Sequence, residues 1–141
     1  MGVTRFGVSM PDGLLEQFDR LIEAKGYDNR SEALRDLVRQ ALVDQTWVPA
    51  GGTADRDTVA VLVIVYDHEE RELGRKLTHA QHGHVGSVLS SLHIHLDERH
   101  CLEVIVLRGP RDAVRQAAEG LVATRGVKFG RIVRATTGEG L

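Results

Sequence analysis

The chain has 141 residues, 42% of them hydrophobic and 27% charged, with a formal net charge of -2 and a single cysteine beside seven histidines. That composition describes one globular domain or two small ones; the charge excludes a broadly basic surface, and one cysteine excludes an internal disulfide. The opening MGVTRFGVSM lacks the basic start and apolar run of a secretory signal, and no stretch approaches the roughly 18 apolar residues of a membrane span, so the expectation is a soluble, cytoplasmic protein.

Arg5 to Met10 alternates Phe6, Val8 and Met10 against Arg5, Gly7 and Ser9, the period of a short half-exposed strand. Pro11 then starts a helix with Leu14, Leu15, Phe18, Leu21 and Ile22 on one face, and Gly26 is positioned to end it. Ser31 is read as the cap of a second helix, which has Leu34, Leu37, Val38, Ala41 and Leu42 on its apolar face. A strand–helix–helix unit over residues 1–46 buries too little apolar surface to stand alone and is expected to dimerise. Two such strands pairing antiparallel would turn Phe6, Val8 and Met10 onto the helices and Arg5, Gly7 and Ser9 outward, on a ribbon that fits the major groove of B-DNA. There Arg5 can donate two hydrogen bonds to a guanine and the Ser9 hydroxyl can reach a neighbouring base, while Asn29, Arg30 and Ser31 offer the free N–H groups of a helix start to a phosphate. Residues 1–47 hold six Lys and Arg against eight Asp and Glu, so any such contact is local. Glu32 and Asp36, four apart on the second helix, are spaced to share a cation, although a solvated acidic face is the plainer reading of the pair.

Residues 47–57 (WVPAGGTADRD) break both helical and strand periodicity and read as a linker. Beyond it, residues 58–141 read as strand 58–66, helix 68–82, strand 88–96, strand 101–107, helix 110–125 and strand 127–135, with Pro110 and Gly126 as start and stop signals for the second helix. The order βαββαβ is that of ferredoxin-like folds, and in that topology the strand 88–96 lies at a sheet edge beside the strand that begins with Cys101. The fold class is therefore α+β.

His82, His93, His95 and Cys101 fall within 20 residues of one another. His93 and His95 are two apart on a strand and project from the same face; five residues separate His95 from Cys101, the parity that returns the cysteine to that face. Three imidazoles and a thiolate make a complete four-coordinate shell that excludes the oxygen-preferring Mg2+ and Ca2+ and leaves Zn2+, Ni2+, Cu and Co2+. His79, His82 and His84 compete on spacing as the third imidazole, and His68 and His100 read as surface residues. A metalloenzyme with Glu103 as base is the rival from another class, disfavoured because four protein donors leave no open position; a storage or delivery protein would leave residues 1–46 without a purpose.

YDNRSEALRDLVRQAL and QHGHVGSVLSSLHIHLDERHCLEV resemble, respectively, the second DNA-domain helix and the metal-binding segment of the nickel-responsive transcriptional regulator family, and the resemblance runs over nearly the whole chain. It implies a ribbon-helix-helix domain followed by a ferredoxin-like, ACT-like domain, and a square-planar Ni2+ site, one per subunit, of His93, His95 and Cys101 with His82 donated by a neighbouring subunit of a homotetramer. It also implies base-facing positions at Arg5, Gly7 and Ser9 and a low-affinity cation site at Glu32 and Asp36 at the junction of the two domains. Two symmetric ribbons require a dyad-symmetric double-stranded operator, and Arg71, at the start of the helix after the first strand of the second part, is a candidate for an additional phosphate contact. Gly7 departs from the pattern, which usually has a polar side chain there. The expected function is a repressor of nickel uptake genes when Ni2+ is bound; a regulator of Cu, Co or Zn is the alternative within the class.

Overall fold

The computed structural model divides the chain into two compact units, residues 1–41 and 42–141. The structure describes residues 2–48, 57–67, 69, 75, 77–79 and 88–141.

In the first unit Pro11 presets the backbone for helix α1 (Asp12–Lys25), its carbonyl accepting from the N–H groups of Leu14 and Leu15. Gly26, at φ 72°, ends the helix in the left-handed conformation a glycine adopts without strain. Helix α2 spans Arg30–Thr46. Its cap is Asn29, whose Oδ1 accepts from the Glu32 N–H at 2.9 Å, so the expected cap Ser31 lies inside the first turn instead. A bidentate ion pair, Arg30 to Asp19 at 2.7 Å for both bonds, ties α2 to α1.

This unit has almost no interior. No residue of α1 is buried, and Ala33 is the one buried hydrophobic among its described residues. Residues 2–10 carry no regular secondary structure, and Phe6 and Val8 are 75% and 58% exposed. The strand expected over Arg5–Met10 is thus not formed within one chain, as follows for a segment with no neighbouring strand to close its ladder hydrogen bonds.

In the second unit, strands β1 (Asp57–Asp67), β2 (Val88–His95), β3 (His100–Pro110) and β4 (Val127–Arg134) form one antiparallel sheet in the order β2-β3-β1-β4, the order expected for the ferredoxin-like topology. Helix α3 (Arg111–Val122) covers one face. Alternation along β1 sends Ala60, Leu62, Ile64 and Tyr66 into the core with Ile105 and Leu107 of β3 and Val114, Ala117, Ala118 and Leu121 of α3. The helix expected over 68–82 falls mostly outside the described residues; Arg75 and residues 77–79 are helical, and Leu77 is buried in the core.

Two differences from the expected boundaries change what is packed where. The helix expected to reach residue 125 ends at Val122, because the Thr124 hydroxyl bonds the Gly120 carbonyl and the Val127 N–H bonds the Thr124 carbonyl, turning the chain into β4. Trp47, read as the first linker residue, is 4% exposed: with Val43 one turn earlier it joins the core of the second unit, its Nε1–H donating to the Ala135 carbonyl at 3.1 Å. The buried Arg111 guanidinium donates to the Val48 carbonyl at 2.8 Å and fixes the chain just beyond.

Among the described residues no helix covers the sheet's other face. Val61, Val63, Val65, Leu102, Val104 and Val106 are only half-buried, and Leu92, Ile94, Phe129 and Val133 are exposed beside them.

Helix α3 lies so close to β4 that a Cβ on Gly130 would stand 2.5 Å from Val122 Cγ1, whereas a Cβ on Gly120, within the helix, would meet nothing within 4 Å. Gly130→Ala should therefore destabilise the protein by about 1–3 kcal/mol, and Gly120→Ala should stabilise it by about 0.5–1 kcal/mol. Urea unfolding of the two variants checks both signs.

Candidate metal centre

The turn between β2 and β3 is closed by one carboxylate. Asp97 Oδ1 accepts from the backbone N–H groups of Arg99 and His100, each at 2.7 Å, and Oδ2 lies 2.8 Å from His100 Nδ1. These bonds, the Arg99 N–H first and the His100 side chain next, hold the Asp97 carboxyl down to about 2. The Leu96 N–H donates to the His100 carbonyl at 2.8 Å, and Arg99 Nη2 donates to Asp67 Oδ2 at 2.8 Å, fastening the turn to the end of β1. Asp67 is buried and held below the usual carboxylate range, chiefly by the Glu69 N–H and then by Arg99.

The register that follows sets His95 opposite Cys101 and His93 opposite Glu103, so all four share the face that carries Ile105 and Leu107. Cys101 is fully buried and both histidines are exposed. Cys101 Sγ lies 3.5 Å from His95 Nδ1, and the two imidazole centroids are 4.9 Å apart with their planes at 72°. A donor atom from each of His93, His95 and Cys101 lies within 4.8 Å of the others, the one such grouping of three among the described residues. Two imidazole nitrogens and one sulfur at that spacing fit a single borderline transition-metal ion with a further donor still to be supplied.

Beneath the cluster, Tyr66 of β1 is paired in register with Cys101. Its hydroxyl donates to Glu103 Oε2 at 3.0 Å and lies 3.2 Å from His93 Nδ1. Burial first, and the Glu103 charge second, push the Tyr66 phenol far above its usual value. Burial likewise raises the Cys101 thiol, with the charges of Glu103, Asp67 and Asp97 adding to it. Sequence reasoning missed the part of Tyr66 and treated Glu103 only as a possible base. The signal was available: Glu103 is the one charged residue in the inward series Cys101, Glu103, Ile105, Leu107.

The remaining expected site residues divide as follows. His82, His84, His68 and Arg71 lie outside the described residues. His79 is exposed, and His100 is engaged by Asp97 in the turn. Arg5, Gly7 and Ser9 are exposed on the segment 2–10, and a Cβ at Gly7 would meet nothing, so no crowding demands glycine there. Asn29 spends its side-chain oxygen on the cap, Arg30 is held by Asp19, and Ser31 is exposed on the first turn. Glu32 accepts from the Asp28 N–H at 3.3 Å, and Asp36 accepts a short hydrogen bond from the Tyr27 hydroxyl. Among the described residues no helix is long and apolar enough to cross a membrane.

Comparison with known proteins finds two family matches along the chain. Residues 59–135 match the family described as the NikR C terminal nickel binding domain, and residues 4–45 match the ribbon-helix-helix proteins of the copG family. Proteins named nickel-responsive regulators are similar over essentially their full length: that of Anaeromyxobacter dehalogenans is 53% identical over 97% of each chain. Those of Geobacter sulfurreducens and Thermococcus onnurineus are 52% and 48% identical, each over 100% of this chain and 99% of theirs. A ribbon-helix-helix region ahead of a nickel-binding domain, with a His–His–Cys cluster on the latter, makes this chain a member of the nickel-responsive regulator family, a nickel-sensing, DNA-binding transcription regulator and not an enzyme.

Proposed function

We propose that His93, His95 and Cys101 are three of four ligands to one Ni2+ per subunit, that His82 of a neighbouring subunit is the fourth, and that the loaded protein represses nickel uptake genes in the cytoplasm. The observation that carries this reading is the convergence of two imidazoles and the chain's one thiol within 4.8 Å on a single hairpin. The donor types also suit Cu, Zn or Co, and membership of a nickel-responsive family selects nickel among them. Bound there with a donor from a second chain, the ion would tie two subunits at the edge strand of the sheet. The residues of this chain do the rest: the Asp97 turn holds His95 against Cys101, and β3 fixes the sulfur in the core.

The reading also takes the assembly to be a homotetramer. The apolar face of the sheet opposite α3 offers a second copy of the C-terminal unit a surface to cover, and the exposed Phe6 and Val8 offer one to a second N-terminal unit. Paired segments 5–10 would form the DNA-reading ribbon, with Arg5, Gly7 and Ser9 outward over a dyad-symmetric operator and the starts of α2, at Asn29, Arg30 and Ser31, toward phosphates. Arg71 is taken as a further phosphate contact and Glu32 with Asp36 as an auxiliary cation site.

Cys101→Ala should abolish tight Ni2+ binding, read by equilibrium dialysis and by loss of the sulfur-to-nickel absorption band. Unchanged affinity would rule the site out. Because the Cys101 thiol is raised, it is protonated in the metal-free protein at neutral pH and must lose its proton on binding. Affinity in the parent should therefore rise with pH through the neutral range and fall on acidification.

Mixed oligomers test the shared site. His82→Ala and Cys101→Ala, each inactive alone, should on co-refolding in equal amounts regain roughly a quarter of the parental nickel band, since one site is rebuilt wherever an intact His82 faces an intact trio. Mixed oligomers with no recovered band would assign all four ligands to one chain.

For the ribbon, Arg5→Ala should lower operator affinity by about 1–3 kcal/mol and relax base preference at one position per half-site, with nickel affinity unchanged. Operator binding equal to the parent's, measured by fluorescence anisotropy, would remove the ribbon as the reading element.

A further inference from the structure

Tyr66 touches one proposed ligand without being one. Its hydroxyl has a single hydrogen and two neighbours, Glu103 Oε2 at 3.0 Å and His93 Nδ1 at 3.2 Å. A carboxylate only accepts, so the hydrogen goes to Glu103. Toward His93 the phenol oxygen then offers lone pairs alone. A protonated Nδ1 meets them with a hydrogen bond; a bare Nδ1 would set lone pair against lone pair, over a tyrosine and a glutamate that are 3% and 6% exposed.

We propose that Tyr66, oriented by Glu103, is a positioning residue that locks His93 in its Nδ1–H tautomer and so leaves Nε2 as the atom His93 presents to the metal. The inference rests on the reading of His93 as a ligand and adds what decides which of its nitrogens serves. A neutral imidazole in water interconverts its tautomers freely and favours Nε2–H, the form with the wrong nitrogen bare; the relay from β3 through β1 to β2 removes that choice before any ion arrives. His95 is poised differently, with its Nδ1 facing the Cys101 sulfur at 3.5 Å.

The tautomer is read directly in the metal-free protein, from long-range proton–nitrogen NMR correlations of histidine-labelled chain at mildly alkaline pH. His93 should be Nδ1–H in the parent. In Tyr66→Phe, which keeps the ring and removes only the hydroxyl, it should shift toward Nε2–H, and Ni2+ affinity should fall about 10–100-fold, as for loss of other groups that orient a metal ligand. In Glu103→Leu, where the phenol is free to turn its hydrogen to His93, the tautomer should invert fully; this variant keeps the test alive if the phenylalanine chain misfolds. A parent His93 in the Nε2–H form, a tautomer unchanged in Tyr66→Phe, or a changed tautomer with unchanged nickel affinity would each overturn the proposal. Failure of the ligand assignment itself registers elsewhere, as undiminished nickel binding in His93→Ala.

Discussion

Everything at the metal centre depends on the register of one hairpin. Side chains alternate faces along a strand, so a slip of the edge strand β2 by one residue against β3 would carry His93 and His95 to the other side of the sheet while Cys101 stayed in the core. Asp97 holds that register with two backbone N–H groups and a side chain, and the Arg99–Asp67 pair ties the turn to the neighbouring strand. A single exposed ion pair would be worth little, but here one member is buried and its carboxylate is also bonded by the Glu69 N–H, which makes the contact a fixed point of the fold.

The two units solve opposite problems of burial. The C-terminal unit has a closed core between α3 and the sheet, and its cluster of ligands sits on the β2–β3 hairpin, two imidazoles on the edge strand and the thiol on its inner neighbour. The N-terminal unit has helices in good local order, capped by Asn29 and Gly26 and joined by Arg30 and Asp19, yet with almost nothing inside them. Local hydrogen bonding and tertiary burial are separate requirements, and only the first is met within a single copy.

Much of this was legible beforehand because it depends on short-range chemistry. The first strand of the second unit follows from a short β-branched apolar run, TVAVLVIVY, and the shared face of His95 and Cys101 follows from loop parity. What escaped depended on competing local signals or on distant neighbours. Asn29 and Ser31 can both cap, and the asparagine wins because Glu32 stands three residues after it, where its N–H is free. Trp47 stands beside proline and glycine and reads as linker, but shares a helix face with Val43 and has the Ala135 carbonyl, 88 residues away, as its acceptor. The Tyr66–Glu103 contact needed the β1–β3 register and the Tyr66–His93 contact the β2–β3 one as well, and no spacing along the chain supplies them.

The unpaired segment at residues 2–10 bears on inheritance as well as on structure. If the DNA-reading ribbon is assembled from two chains, no chain owns a reading head, and each recognition surface is half the product of one gene copy and half of another. A cell carrying one sound copy and one with a spoiled ribbon would build about three heads in four with at least one damaged half. Damage at Arg5 would then be dominant over the healthy allele, whereas a lesion that prevents folding of the whole chain, and so keeps it out of the assembly, would be recessive.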